Sequence, residues 1–241
     1  MNDMSDKSFE FKEFRVEQAG SAMKVGTDGV LLGAWIEIDH NAVSILDIGT
    51  GTGLIALQLA QRSDCETIDA LEIEENSFEQ AVENFENSPW SDRLFCYHAS
   101  LQEFKDEMDL TYDLIVCNPP FYNNSYPAEG KERSLARQQN ELDFAELMDS
   151  VDKLLTKTGS FALILPYSVE DELINLAGSR GLYVNRITRV RGNKNSSIKR
   201  SLIQFSYTQQ IVSENELILE LERHVYTPEY YDLVKDFYLK L

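Results

Sequence analysis

Val43-Ser-Ile-Leu-Asp-Ile-Gly-Thr-Gly-Thr-Gly-Leu54 decides the fold of this 241-residue chain. Residues 43–48 form an apolar run of the kind found in a parallel strand buried on both faces. Three glycines at alternate positions follow, and residues 54–62 read as a helix. Strand, glycine turn and helix open a wound α/β sheet, in which ligands sit beyond the carboxyl ends of the strands, where the strand order reverses. Gly49, Gly51 and Gly53 let the backbone turn tightly and approach a ligand without an intervening Cβ.

Two ligand classes compete for such a turn. A dinucleotide fingerprint needs G-x-G-x-x-G, and Leu54 puts the third glycine at the wrong spacing. Asp47, just before the turn, would repel a pyrophosphate and attract a cation. S-adenosylmethionine carries a sulfonium and an ammonium, so the acidic corner favours it. The second strand, 67–73, brings Glu72 to its carboxyl end, where a carboxylate can accept hydrogen bonds from both ribose hydroxyls.

The strand–helix rhythm continues outward. Residues 75–86 form an amphipathic helix with Phe78, Ala81, Val82 and Phe85 on its apolar stripe. Residues 94–98 and 112–117 are the third and fourth strands. A polar loop at 123–141 is long enough to be functional. A helix then starts at Asp143 in a capping-box-like arrangement with Glu146, followed by a strand at 160–165, a helix at 168–180 and strands at 183–190 and 202–207. Upstream, 9–18 alternates as a short edge strand, and 30–36 reads as a helix over the sheet. Thr227-Pro228 opens a terminal helix. The expected fold is a doubly wound, mostly parallel, seven-stranded Rossmann-like α/β sheet with an antiparallel late strand. It forms one domain over 1–241, with 1–40 as a cap segment, 41–208 as the core sheet and 209–241 as a C-terminal strand and helix.

The fourth strand runs into Asn118-Pro-Pro-Phe-Tyr122. Consecutive prolines forbid a central strand or a helix interior there, since they lack N–H donors and fix φ. A stiff corner results, at the carboxyl edge of the sheet. Methylating an exocyclic amine or an amide nitrogen is difficult because the lone pair is delocalised into a π system. Two acceptors gripping the two N–H groups, the Asn118 side-chain oxygen and the Pro119 carbonyl, would favour a pyramidal nitrogen. Pro120 would preorganise them. Phe121 offers a ring face to a planar base, with Tyr122 beside it.

The composition is that of a folded globular protein, 43% hydrophobic with 12 Phe, 11 Tyr and 2 Trp. The apolar runs are too short to cross a bilayer, and the first residues lack a signal-peptide pattern. Cys65, Cys96 and Cys117 are odd in number and without a CxxC, as reduced core thiols in a cytosolic protein would be. His40, His98 and His224 are isolated, so no metal site is expected. Net charge is −19, yet residues 173–213 contain no Asp or Glu and carry +7 against −26 elsewhere. Arg186, Arg189, Arg191, Lys194, Lys199 and Arg200 lie there and are expected to face an RNA. Arg133 and Arg137, after the corner, are weighed equally as RNA contacts and as surface charge.

Together these segments resemble the class I, amino-group S-adenosylmethionine-dependent methyltransferases. Lys24-Val-Gly-Thr-Asp-Gly-Val-Leu-Leu-Gly-Ala-Trp35, Ser88-Pro-Trp90, Asn118-Pro-Pro-Phe-Tyr122 and Phe237-Tyr-Leu239 are similar to segments of the bacterial tRNA1(Val) (adenine(37)-N6)-methyltransferase family. The resemblance implies methyl transfer to N6 of the adenine beside the anticodon of a valine tRNA, in the cytoplasm. It further implies that Lys24, Gly26, Thr27 and Asp28 help close the cofactor site, with Asn118, Pro119 and Phe121 as the catalytic corner. Such enzymes often carry Asp after the third strand to bind the cofactor adenine; here Ser100 takes that place. N5-methylation of a protein glutamine uses the same kind of corner and is the alternative reading. A non-catalytic cofactor-binding module is disfavoured by the intact corner. Whether the chain dimerises is left open by the sequence, with a monomer the simpler expectation.

Overall fold

The computed structural model describes residues 8–19, 24–119 and 143–240. A hairpin of β1 (Ser8–Glu10) and β2 (Arg15–Glu17) precedes helix α1 (Thr27–Trp35). The wound part then runs β3 (Ser44–Ile48), α2 (Leu54–Arg62), β4 (Thr67–Glu72), α3 (Glu75–Glu86), β5 (Leu94–His98), α4 (Leu101–Glu107) and β6 (Tyr112–Cys117). After the undescribed segment come α5 (Phe144–Leu154), β7 (Leu155–Pro166), a 3-10 turn at Tyr167–Val169, α6 (Glu170–Gly178), β8 (Tyr183–Arg191) and β9 (Arg200–Ser206). The chain closes with β10 (Ser213–Ile218), a small hairpin of β11 (Glu220–Glu222) and β12 (Val225–Tyr226), and α7 (Pro228–Val234).

Among the described residues the main sheet has eight strands in the order β10-β8-β9-β7-β6-β3-β4-β5. Only β9 runs antiparallel to its neighbours, β7 and β8. The chain winds outward from β3 to β5, then returns to β6 on the other side, so β3 and β6 flank the switch point. One face of the sheet packs on α1, α2 and α7, and the other on α4, α5 and α6.

Several elements differ from the sequence expectation, α4 and the β11–β12 hairpin among them. The sheet gains an eighth strand, because β10 adds in parallel to β8 although Ser213–Glu216 are exposed and acidic. The alternation at 9–18 produces a separate hairpin, not an edge of the main sheet. Its continuation meets the C-terminal segment, with Phe11 bridging Tyr238 and Lys12 N–H donating to Phe237 O at 2.8 Å. Strand β7 starts at once where α5 ends, so it is twice the length the apolar core of 160–165 suggests.

Helix α1 shows no amphipathic stripe because residues 29–35 are all buried, between the sheet and α2. Its C-terminal carbonyls are satisfied by Arg62 of α2, which donates to Gly33 O at 2.6 Å and Ile36 O at 2.8 Å. The glycine turn is the other tight junction. Gly53 has φ +83°, and a Cβ there would lie 2.4 Å from Phe85 Cε1. Gly51 has φ +59° with open space where its Cβ would be. Gly53→Ala is therefore expected to cost about 2–4 kcal/mol, adding overpacking to left-handed strain, and Gly51→Ala about 1–2 kcal/mol from strain alone. Urea denaturation measures both; equal costs would remove the packing argument.

Candidate active site

In the β3–β6 pairing Ile48 lies opposite Cys117, so the next residues, Gly49 and Asn118, leave neighbouring strands side by side. Adjacent strands are ~4.8 Å apart. Glycine turn and asparagine corner thus share one opening. It is a pocket of about 370 Å³, walled by segment 24–29, the turn at 49–52, the start of α2, Asn118, Pro119 and Arg200. That volume falls in the range of small-molecule sites. Gly49 (φ +68°), like Gly51, would have nothing within 4 Å of an added Cβ.

Hydrogen bonds from the strand ends hold the turn. Thr50 N–H donates to Leu71 O at 2.9 Å, and Gly51 N–H to Glu72 Oε2 at 2.8 Å. The other carboxylate oxygen of Glu72 accepts from the N–H groups of Ile73 and Glu74, each at 2.9 Å. A carboxylate has about four acceptor positions, so Glu72 is fixed by backbone and keeps capacity for one further donor. Asp47 is fully buried beneath the turn. Its Oδ2 accepts from Thr50 Oγ1 at 2.5 Å, while Oδ1 has no partner. Burial pushes its carboxyl up to about 7, with Glu72 contributing in the same direction. A cation bound above the turn would stabilise the ionised form of this buried acid, so the cradle favours a cationic ligand over an anionic one.

Segment 24–29 borders this opening. Lys24, Gly26, Thr27 and Asp28 all line it, and Gly26 starts α1 without a side-chain cap. Asp28 is held by Arg200 Nε at 2.7 Å. Asn84 of α3, 2% exposed, ties the N-terminal hairpin to the turn: its Nδ2 donates to Glu17 O at 2.9 Å and Thr52 O at 2.8 Å. Its Oδ1 accepts from Glu17 N–H at 2.8 Å. Asn84 was missed in the sequence because α3 was read by its apolar stripe, whereas the buried face also takes Ser77, Gln80 and Asn84.

The Ser100 hydroxyl donates to Glu103 Oε2 at 2.7 Å and accepts from Glu103 N–H at 3.2 Å, the capping box that starts α4. One acceptor position of that hydroxyl is left for a further donor. Pro120, Phe121, Tyr122, Arg133 and Arg137, with the loop at 123–141, lie outside the described residues.

The basic tract is acid-free in sequence but not in space. Arg189 is gripped by Glu170, with Nη2 to Oε1 at 2.6 Å, and by Glu214. Those carboxylates hold its guanidinium well above its ordinary range. Arg191 pairs with Glu216 at 2.5 Å, and Arg200 with Asp28. Arg186 lies elsewhere: three residues back along β8, it stacks on Trp35 at 4.4 Å, donates to Trp35 O and pairs with Glu37. That is the far end of α1 from the pocket. Lys194 and Lys199, exposed on the β8–β9 connection, have no acidic partner among the described residues. Burial pushes the Cys96 thiol up to about 12 and Cys117 well up, so neither is a nucleophile at neutral pH. No group of three or more His, Cys, Asp or Glu could hold a metal among the described residues.

A glycine-cradled pocket over a buried acid, at the switch point of such a sheet, is the architecture of class I methyltransferases. Solved structures share the fold: one described as a predicted O-methyltransferase from Agrobacterium tumefaciens superposes with TM-score 0.68 at 22% identity, covering 87% of this chain and 96% of that one. A class I S-adenosylmethionine-dependent methyltransferase from Listeria monocytogenes gives 0.56 at 12% identity, over 86% and 68%. Residues 25–164 match the methyltransferase small domain, and the chain is an S-adenosylmethionine-dependent methyltransferase. A relative from Flavobacterium psychrophilum, named tRNA1(Val) (adenine(37)-N6)-methyltransferase, is 55% identical over 233 residues, 97% of this chain and all of the relative. The chain belongs to that family.

Asp47 yields a test by pH. Its folded-state proton affinity is raised, so its contribution to stability is full below about pH 4 and is lost as pH rises towards 7. The stability of the wild type minus that of Asp47→Asn should fall across that window and level off above it. Urea titrations from pH 4 to 8 measure this; a flat difference would show that Asp47 ionises normally.

Proposed function

We propose that this chain methylates N6 of adenine 37, beside the anticodon of a valine tRNA, the reaction for which its relatives are named. The observation that carries the reading is the β3–β6 register, which sets Asn118 and Pro119 against the glycine turn in one pocket. S-adenosylmethionine supplies the methyl group. Asn118 Oδ1 and Pro119 O would accept the two N–H groups of the amine and hold its lone pair towards the pocket. The nitrogen loses its proton after attack, so alignment and not a strong base is what the residues provide. Gly49 and Gly51 would allow close approach of the cofactor, while Gly53, expected beside them from sequence, turns its Cα towards Phe85 and shapes the turn from behind. Glu72 would take a ribose hydroxyl with its remaining acceptor position. Asp47 would favour the positive charge. Lys24, Gly26, Thr27 and Asp28, in the cap of residues 1–40, would close over the methionine end. Pro120, Phe121 and Tyr122 keep the roles expected from sequence, stiffening the corner and stacking on the base.

Tyr122, Arg133 and Arg137 remain candidate RNA contacts from sequence. Among the described basic residues, Lys194 and Lys199 are the strongest candidates, since their charge is not spent on neighbouring acids. No described helix is long and apolar enough to cross a membrane; the proposed tRNA substrate places the enzyme in the cytoplasm.

The reaction is tested with labelled S-adenosylmethionine and bulk tRNA from a strain lacking the gene, followed by nucleoside mass spectrometry. N6-methyladenosine at the anticodon-adjacent position is expected. Label in protein and none in RNA would instead favour glutamine methylation. Asn118→Ala should retain cofactor binding and lose at least about a hundredfold in turnover, some 2.7 kcal/mol. Near-normal turnover would remove Asn118 from the acceptor role.

A further inference from the structure

The carboxyl edge of the sheet continues past the corner. Cys117 is in register with Leu163 of β7, and β7 runs three residues further to Pro166, which lies opposite Arg200. Tyr167 follows. By strand geometry it stands one strand over from Asn118 and on the order of 10 Å further out. It is 43% exposed, and its hydroxyl makes no hydrogen bond among the described residues. Its backbone is fixed, because Tyr167 N–H donates to Lys199 O at 3.1 Å. The Arg189 guanidinium lies 5.8 Å from the ring centroid and is itself clamped by Glu170 and Glu214. Tyr167 is thus a partly exposed ring next to a rigid support. Lys199, whose carbonyl accepts from Tyr167 N–H, and Lys194, five residues back on the same β8–β9 connection, are exposed cations whose charge no described acid cancels.

An anchored ring with exposed lysines on the connection that adjoins it is suited to single-stranded nucleic acid: the ring stacks on a base and the lysines meet phosphates. Because the support is fixed beforehand, little side-chain entropy is lost on binding. We infer that Tyr167 stacks on a nucleotide adjacent to the methylated adenine, with Lys199 and Lys194 contacting the flanking phosphates. This assignment rests on the tRNA reading above and adds to it a site for the neighbouring base.

The test measures binding of an anticodon stem-loop RNA by fluorescence anisotropy, with S-adenosylhomocysteine present. Two further RNAs carry an abasic nucleotide on one or the other side of the target adenine. Tyr167→Ala should weaken binding of the intact RNA about tenfold, within the range of one stacked base, and Tyr167→Phe should leave it near wild type. One abasic RNA should weaken the wild type by a similar factor and Tyr167→Ala hardly further. Lys194→Ala combined with Lys199→Ala should lower the slope of log K against log salt by about 0.7 per lost phosphate contact. The inference is overturned by intact-RNA affinity unchanged in Tyr167→Ala, or by abasic penalties equal in the wild type and the variant. If the wild type neither binds nor methylates tRNA, the functional reading fails and this inference with it. A wild type active on tRNA with an unaffected Tyr167→Ala overturns only the inference.

Discussion

The parallel pairing of β3 with β6 is the constraint on which the rest depends. It sets Ile48 opposite Cys117, and the two strands end together. Had the pairing slipped by one residue, every side chain of β6 would change faces. The corner at Asn118 would also have moved away from the glycine turn. The register is held by burial on both faces. Leu46, Ile48, Ile115 and Cys117 belong to one apolar cluster, and Ile45, Leu114 and Val116 to the other. The polar groups of the pocket sit at the edge of that core, and only Leu54 and Ile55 at the start of α2 belong to both.

Around this framework, polar side chains act as clamps wherever backbone leaves regular structure. Asn84 joins the N-terminal hairpin to the turn, Glu72 holds Gly51, Arg62 closes the end of α1, and Arg200 grips Asp28 at its start. Each is at least half-buried and faces backbone or an opposite charge, where a hydrogen bond to a charged group is worth about 1.5–3 kcal/mol. The pocket walls come from segments distant in sequence, and these bonds fix their relative positions.

Much of the fold was legible because its signals are local. The apolar run at 43–48 and the glycine spacing at 49–53 each determine backbone geometry within a few residues. The core of the site followed from the same segments. What escaped was decided across the sheet. Glu214 and Glu216 look like solvent-exposed acids in sequence, yet β10 lays them beside Arg189 and Arg191. Arg186 reads as one more cation of the tract, yet strand alternation and its distance along β8 send it to Trp35. Ser100 also caps a helix, because Glu103 follows at the spacing of a capping box. Strand pairing and competition between partners are non-local, and no window of sequence contains them.

The neutralised arginines alter how a polyanion would meet this molecule. A chain of net charge −19 repels RNA over most of its surface. The arginines of the acid-free tract are cancelled by their own neighbours, so among the described residues of that tract only Lys194 and Lys199 keep an uncompensated charge. Such a surface gains little from long-range capture and discriminates by orientation: approaches to other faces are rejected before contact. Salt then acts in two opposed ways. At low ionic strength, where the Debye length reaches ~30 Å at 0.01 M, added salt first relieves global repulsion and speeds encounter. Only at higher concentrations does it weaken the short-range phosphate contacts. The association rate should therefore pass through a maximum as salt rises, unlike the steady decline of a uniformly basic RNA-binding protein.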